Sequence, residues 1–326
     1  MAYKSFMKVT EKQIKDAAEI IRNGGLVAFP TETVYGLGAN ALDAKAVAGI
    51  FATKERPSFD PLIVHICKTE DIKRLSLEED PRVHTLAQHF WPGPLTIVVP
   101  KSNIVPDIVT SGLPSVGLRM PANEIALKLI ETAGCPVAAP SANKFGKLSP
   151  TTAEHVRKQL PELECILDGG NTVVGVESTV ITLESDGFRI LRHGAVTAED
   201  LAKIIPQSKM PETTILAAAA PGMMKSHYSP EKPVYIIGEH SIPTDKSNAG
   251  LLSFGFSAND AYKKVEFLSM SQNLQEAAVN LFGALHRLEE SDVDFIVSET
   301  VPENGIGIAI MDRLRKAAYR FQDGDL

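Results

Sequence analysis

The segment GCPVAAPSANKFGKLSP, residues 134–150, changes character in its middle. Residues 137–139 are apolar and predict a buried strand, but the chain after Pro140 carries Ser141, Asn143 and Lys144. Small hydroxyl, amide and ammonium groups at the end of a strand indicate either a turn or the edge of a ligand site. Which of the two applies depends on how the other strands end.

Four other predicted strands also end in polar side chains. LVAFP leads into Thr31, Glu32, Thr33 and Tyr35, PLIVH ends at His65, SVGLR ends at Arg119, and ILRHG carries Arg192 and His193. For any single Ser or Asn, a cap or turn is the simpler explanation. In an open α/β sheet, however, ligands bind at the carboxyl ends of strands, so we expect these groups to gather there. Turns do not require cations, and hydroxyls beside Lys and Arg favour a polyphosphate or a carboxylate as ligand.

Helical and extended patterns alternate along the first two hundred residues. A capping box of Thr10 and Gln13 predicts one helix, and Asp43 and Asp80 begin two more. Further helices are predicted from Pro121 to Ala133 and after a box formed by Thr151 and Glu154. Strands are predicted at LVAF, PLIVHI, PLTIVV, SVGLRM, PVAA, CILDGG, STVITL and FRILRHG. Because the last strands follow one another directly, we expect an α/β fold with a twisted mixed sheet and flanking helices.

Composition changes between residues 206 and 233, where five prolines occur without any sustained period. Beyond them, PVYIIG, GLLSFG, VEFLS and DFIVSE alternate with helices predicted from Asn273 to Glu290 and near Met311. We therefore predict a first domain at 1–207, a linker at 208–232, and a smaller Rossmann-like α/β domain at 233–326.

Composition narrows the function. The 326 residues are 44% hydrophobic and 22% charged, and the net charge of -7 disfavours a protein with a wide basic face for duplex DNA or anionic membranes. Cys67, Cys135 and Cys165 are far apart and without metal-site spacing, so we interpret them as core residues in a reducing compartment. No apolar signal core or membrane span is visible, and we expect a cytoplasmic protein.

Familiar nucleotide motifs are weak or missing. GLGANA at 36–41 matches a dinucleotide fingerprint, but PTETVY separates it from its strand. GIGIAI at 305–310 has Ile310 at the third glycine position, and we interpret it as a structural turn. The sequence contains no Walker A motif, so a nucleotide would need another scaffold.

Seven segments together closely resemble the YrdC/Sua family of L-threonylcarbamoyladenylate synthases. They occur in order between about residues 10 and 205, and APGMMKSHYSP resembles the linker of the longer Sua-type members. The segments are GGLVAFPTETVYGLGANA, KERPSFDPLIVHI, WPGPLTIVV, VGLRMP, APSANKFGKLSPT, DGGNTVVGVESTVI and LRHG. The resemblance implies an enzyme that converts L-threonine, bicarbonate and ATP into threonylcarbamoyl-AMP and pyrophosphate. Its product would pass to a transferase complex that modifies tRNA, whereas direct tRNA binding stays open.

The same resemblance implies roles for individual residues. Lys54, Arg56, Ser141 and Asn143 would form the catalytic set, near the phosphates and the carbamate. ATP would contact Arg56, Asp60, Ser115, Ser141, Ser149, Arg192 and Tyr228, and L-threonine would contact Thr33, His65, Arg119, the Ala139 backbone and Ser178. Mg²⁺ would accompany the phosphates, without a metal site made by the protein. Asp60 stands where many relatives have Asn, and a carboxylate can accept a hydrogen bond from adenine but not donate one.

Several alternatives stay open at this point. His65 could be a core histidine, Ser149 a turn residue before Pro150, and Tyr228 a packing residue between domains. We favour a lid role for the linker, with Tyr228 over the nucleotide. A different class of function, a non-catalytic RNA-binding factor, would use the same basic cavity, although the acidic net charge argues against it.

Overall fold

The structure is a computed structural model that describes residues 9–57, 60–210, 228–255 and 261–319. Its helices are α1 Glu11–Arg22, α2 Ala44–Lys54, α3 Asp71–Leu75, α4 Pro81–Phe90, α5 Asp107–Thr110, α6 Glu124–Ala133, α7 Ala153–Gln159, α8 Ala198–Ala202, α9 Leu274–Glu289 and α10 Gly307–Tyr319. Its strands are β1 Val27–Phe29, β2 Gly36–Asn40, β3 Ile63–His65, β4 Leu95–Pro100, β5 Ser115–Arg119, β6 Val137–Ala138, β7 Thr179–Glu184, β8 Gly187–Arg192, β9 Val234–Ile236, β10 Ala249–Ser253, β11 Lys264–Phe267 and β12 Phe295–Ser298.

The first eight strands form one mixed sheet in the order β1-β2-β6-β3-β5-β4-β7-β8. The pairs β3–β5 and β4–β7 are parallel, and the other neighbours are antiparallel. The prediction of a twisted mixed sheet with flanking helices is confirmed.

The direction of β6 corrects one expectation. This strand runs antiparallel to β3, with Val137 opposite His65 and Ala138 opposite Val64. Its carboxyl end, where Ser141 bridges to Gly36, therefore lies toward the amino end of β3. The expectation that the polar strand ends share one edge of the sheet was wrong, because the sheet is not parallel at this position.

Most predicted helix starts follow from a capping side chain, but two differ. The Thr10–Gln13 box and the Asp43 and Asp80 caps are present. Helix α6 begins at Glu124 rather than Pro121, because the Asn123 side chain accepts hydrogen bonds from the first-turn N–H groups. Helix α7 is capped by Thr152 and not by Thr151.

Two glycine-containing segments and one predicted strand also differ. GLGAN, considered only as a nucleotide motif, forms β2; a Cβ on Gly38 would stand 2.6 Å from the Phe29 ring and 2.7 Å from Val137. Small residues are needed there because larger neighbours cover the strand. GIGIAI enters helix α10 at Gly307 instead of forming only a turn. CILDGG contributes one isolated bridge, from Ile166 to Ala28, and no strand.

The last four strands form a parallel sheet in the order β11-β10-β12-β9. Apolar side chains of α9 and α10, such as Phe282 and Leu314, pack with the strand residues Leu252 and Ile296 in one core. This arrangement confirms the smaller Rossmann-like α/β unit. None of the described helices has the length and apolar character that crossing a membrane requires.

The two sheets share packed surface. Val34, Leu148 and Val176, which belong to the first sheet region, lie in the same apolar cluster as the core of the second. The three cysteines, interpreted from the sequence as core residues, are half-buried and pack at the margin of the cluster formed by α1 and α6.

At Gly175 the backbone of the first region comes close to helix α9 of the second, and this contact leads to a stability prediction. The φ of Gly175 is +81°, and a Cβ there would stand 2.2 Å from the carbonyl oxygen of Ala278 in α9. Gly175→Ala should therefore lower the free energy of unfolding by about 1–3 kcal/mol more than Gly112→Ala. Gly112 is the matched control because its φ is +78° and its Cβ would meet nothing within 4 Å. Urea unfolding of both variants measures the difference, and equal losses would contradict the close packing.

Candidate active site

A cavity of about 50 Å³ lies over one face of the eight-stranded sheet. Ile63 and His65, alternate residues of β3, both line it, which places it on the face and not at an edge. The wall consists of Thr31, Thr33, Val34, Gly36, Arg56, Ile63, His65, Arg119, Ala139, Pro140, Ser141, Glu177, Ser178, Arg192 and Tyr228. Ligand pockets usually measure ~300 Å³ or more, so this cavity is small for a ligand site.

Nine residues singled out from the sequence meet in this wall. They are Thr33, Arg56, His65, Arg119, Ala139, Ser141, Ser178, Arg192 and Tyr228. Four other predicted site residues lie behind the wall: Lys54, Asp60, Asn143 and Ser149. Each contacts a residue that lines the cavity or the loop that carries such a residue. Ser115 instead lines a smaller neighbouring cavity beside Thr96 and Val180.

Arg119 at the end of β5 is held by the segment that follows β1. Its Nη2 lies 2.8 Å from Glu32 Oε1 and donates to Thr33 Oγ1 at 3.0 Å. Arg119 and Glu32 are both buried, and their opposite charges compensate each other. From the sequence, Glu32 was noted as a polar residue after the first strand but was given no role. The alternation of Thr31, Glu32 and Thr33 was the sequence feature that could have indicated one.

Arg56 is fixed by a second buried pair. Its Nη2 lies 2.9 Å from Asp60 Oδ2 and donates to the Pro61 carbonyl oxygen at 3.0 Å. Burial raises the pKa of Asp60, and the charge of Arg56 opposes that rise. Asp60 therefore orients Arg56 from behind and does not itself line the cavity.

The question raised by residues 134–150 has a structural answer. Lys54, at the end of α2, is buried and donates from Nζ to the carbonyl oxygens of Ser141 (2.7 Å) and Asn143. The Nδ2 group of Asn143 donates to the carbonyls of Lys144 and Lys147. Burial, followed by the charge of Arg56, lowers the pKa of Lys54 well below its ordinary value. These polar groups shape the loop that brings Ser141 to the wall.

A third group joins the strands at the far side of the sheet. Arg192, at the end of β8, donates from Nη2 to Ser178 Oγ at 3.1 Å and to the Ser178 carbonyl at 3.0 Å. The hydroxyl of Ser178 is also 2.8 Å from that of Thr96. Three cations, Arg56, Arg119 and Arg192, thus reach one cavity, which suits anionic ligands.

Glu177 and Tyr228 complete the wall, and Ser149 supports Glu177 from behind it. Glu177 lines the cavity, and its Oε1 accepts a hydrogen bond from Ser149 Oγ at 2.5 Å. Tyr228 is buried, has φ +60° and packs on Phe282 of α9, with ring centroids 5.6 Å apart. Residues 211–227 of the predicted linker and lid, 208–232, lie outside the described residues. Glu177 was missed, although it directly precedes Ser178 in GVESTV.

The composition of the site gives no independent sign of a bound metal. Among the residues that the structure describes, no group of three or more His, Cys, Asp and Glu side chains could hold an ion. The carboxylates of Glu32, Asp60 and Glu177 are instead paired with arginines.

Two family profiles together match residues 19–319. The profile described as "Telomere recombination" covers residues 19–194, and "Threonylcarbamoyl-AMP synthase, C-terminal domain" covers 196–319. A relative from Pyrococcus abyssi named threonylcarbamoyl-AMP synthase is 45% identical over 96% of both chains. This chain belongs to the threonylcarbamoyl-AMP synthase family. A Bacillus subtilis member of that name is 39% identical over 96% of this chain and 94% of its own.

Solved structures agree with this membership. The P. abyssi Sua5 crystal structure in complex with L-threonine has a TM-score of 0.85, 44% identity and 96% coverage of both chains. The E. coli YciO crystal structure shares the fold alone, with a TM-score of 0.51 and 22% identity over 59% of this chain and 94% of its own. The synthase family thus accounts for both sheet regions of the molecule.

The buried histidines generate a pH prediction. His65 has an Nδ1 atom without a hydrogen-bond partner in the described structure, and burial, followed by the charge of Arg119, lowers its pKa from 6.5 to about 3. Burial also lowers the pKa of His155 to about 3 and of His286 to about 4. The stability that these neutral histidines contribute to the folded protein is fully present above pH 6.5. It is lost progressively as the pH falls toward 4, because the unfolded chain then binds more protons than the folded one.

Unfolding measured between pH 7 and 4.5 should therefore show a declining free energy. Each histidine contributes a slope of up to about 1.4 kcal/mol per pH unit. His65→Asn should reduce the slope by about one histidine's share, whereas His84→Asn, which changes an exposed histidine, should leave it unchanged. Equal slopes in the wild type and His65→Asn would contradict a neutral, buried His65.

Proposed function

We propose that this protein is an L-threonylcarbamoyladenylate synthase that forms threonylcarbamoyl-AMP and pyrophosphate from L-threonine, bicarbonate and ATP. The observation that carries the proposal is the meeting of Arg56, Arg119 and Arg192 with the hydroxyls of Thr33, Ser141 and Ser178 in one cavity. Full-length relatives with this name and a threonine-bound relative of 44% identity support it. The nucleotide and the carbamate are both anions, which such a cavity can hold together.

The chemistry balances without a redox partner. Bicarbonate takes up a proton and loses water to give CO2. The amine nitrogen of threonine then bonds to the carbon of CO2 and releases a proton, which gives a carbamate. A carbamate oxygen then attacks the α-phosphorus of ATP, and the bond to the β-phosphate oxygen breaks as pyrophosphate leaves. Little covalent chemistry falls to the protein, so positioning and charge stabilisation supply the rate.

Threonine is proposed to occupy the end of the cavity formed by the β3 and β5 side chains. Arg119 would bind its carboxylate, and neutral His65 and the Ala139 backbone would border it. Thr33 and Ser178 would place hydroxyls near the substrate hydroxyl.

The nucleotide is proposed to occupy the opposite end, beside the 141–150 loop. Arg56, Ser141, Arg192 and Tyr228 would contact it directly. Lys54 and Asn143 would act through the loop that they hold, Asp60 through Arg56, and Ser149 through Glu177. Ser115 would contact it only if ligand reaches the neighbouring cavity.

Mg²⁺ is proposed to enter as the counter-ion of the ATP phosphates. The described carboxylates near the cavity are engaged with arginines and do not fit a protein-held ion. The product would pass to a threonylcarbamoyl transferase complex that modifies tRNA, and we place this activity in the cytoplasm. Direct tRNA binding is not part of the proposal.

Pyrophosphate release tests the function as a whole. It should require threonine, bicarbonate and ATP together, and omission of any one should reduce it to background. An RNA-binding factor would instead show no turnover and an affinity for RNA that falls steeply with salt.

Arg56→Ala should reduce kcat/KM for pyrophosphate release about a hundredfold or more, because a cation beside the reacting phosphate is lost. Lys12→Ala is the matched control: Lys12 and Asp16 form an exposed i,i+4 pair, whereas Arg56 and Asp60 form a buried one. Thermal unfolding checks that the variants remain folded. Near-normal turnover in a folded Arg56→Ala protein would remove Arg56 from the site.

Threonine should be preferred over alanine by about ten- to hundredfold in kcat/KM, because alanine leaves buried hydroxyl groups of the site unpaired. Serine, which keeps the hydroxyl, should fall between them. Equal efficiency with alanine would show that Thr33 and Ser178 do not read the substrate hydroxyl.

A further inference from the structure

A cation from the C-terminal region reaches the wall of the cavity. Arg313 of α10 is 0% exposed, and its Nε donates to Glu177 Oε2 at 2.8 Å. Its Nη2 donates to the His193 carbonyl oxygen at 3.0 Å, and its guanidinium carbon lies 5.0 Å from the centre of the Tyr228 ring. Glu177 and Tyr228 both line the cavity. One guanidinium therefore joins the start of β7, the end of β8 and the tyrosine.

A second contact from the C-terminal region supports the cavity wall from behind. The Nε2 atom of His286, in α9, lies 3.2 Å from the Ser149 carbonyl oxygen. The Ser149 hydroxyl in turn donates to Glu177 Oε1. Ser149 thus binds one oxygen of the Glu177 carboxylate, and Arg313 binds the other. Arg313 belongs to a C-terminal helix, and the Ser149 backbone is contacted by His286 of another.

The charges explain why this arrangement is sensitive to Arg313. Burial alone would raise the pKa of Glu177, but the positive charges of Arg313 and Arg192, together with hydrogen bonds from Ser149 and Arg313, outweigh burial and lower it. Without Arg313 the buried carboxylate would keep Arg192 as its remaining cation and would compete with an incoming phosphate for it. The Tyr228 ring would also lose the cation that packs against its face.

We propose that Arg313 is a positioning residue that fixes Glu177 and Tyr228 at the nucleotide end of the cavity, so that the C-terminal region completes the active site. This inference rests on the proposed synthase function. The threonine end depends on Arg313 much less, because Arg119 is held by Glu32 and Thr33. Arg313 is therefore expected to affect ATP more than threonine.

The test measures KM for ATP and for threonine separately in full-length variants. Arg313→Met should raise KM for ATP about tenfold or more and change KM for threonine less than about threefold. Arg313→Lys keeps the positive charge but not the planar guanidinium that donates to two partners, so its KM for ATP should lie between those of the wild type and Arg313→Met. Arg315→Met is the matched control, since Arg315 lies on the same helix but is exposed and pairs with Glu239 and Glu303; its kinetic constants should match the wild type.

A double variant separates positioning from folding. In Glu177→Gln/Arg313→Met the uncompensated carboxylate is gone, so KM for ATP should lie closer to the wild type than in Arg313→Met alone. The double variant and Arg313→Lys carry the test if Arg313→Met does not fold. Equal rises in KM for both substrates, a lowered melting temperature with unchanged constants, or a double variant worse than the single one would overturn the inference. A wild type that releases no pyrophosphate would instead overturn the proposed function.

Discussion

Buried arginine–carboxylate pairs are the constraint on which the cavity depends. A site for two anions needs cations that are removed from water, and each buried guanidinium must be compensated when the ligands are absent. The chain meets this need with Glu32 beside Arg119, Asp60 beside Arg56, and Glu177 beside Arg313. Glu32 and Glu177 reach their arginines from other elements, whereas Asp60 lies four residues from Arg56 in the same connection. Each carboxylate helps to fix the orientation of its guanidinium. The positive charge of the cavity wall therefore depends on the packing of the residues behind it.

The mixed sheet explains how these pairs come to lie around one space. Parallel β3 and β5 bring His65 and Arg119 side by side, while antiparallel β6 delivers the 139–141 segment from the opposite direction. Strands β7 and β8 add Ser178 and Arg192 from the far side. A purely parallel sheet would collect polar residues along one edge, whereas this order distributes them over a face. Two substrates can therefore approach each other from the two ends of one cavity.

The C-terminal region belongs to the same physical unit. Its core includes Val34, Leu148 and Val176 of the first region, and its helices contact Ser149 and Glu177. Gly175 allows the two backbones to approach closely. The hydrogen bonds of these helices with Ser149 and Glu177 bury polar backbone and charge, and such groups are costly to bury unless they are paired.

Local chemistry in the sequence was sufficient for the fold class and most helix starts, and the family resemblance was needed to name nine residues of the cavity wall. Side-chain caps such as Thr10, Asp43 and Asp80 act within a few residues, so they can be read without any tertiary information. The family resemblance supplied the ligand expected at each motif along the chain. Only the tertiary structure decided the direction of β6, the strand formed by GLGAN, and the roles of Glu32, Glu177 and Arg313. Those features arise from contacts between distant segments, such as Arg313 and Glu177, 136 residues apart, and the neighbouring residues in the chain do not specify such contacts.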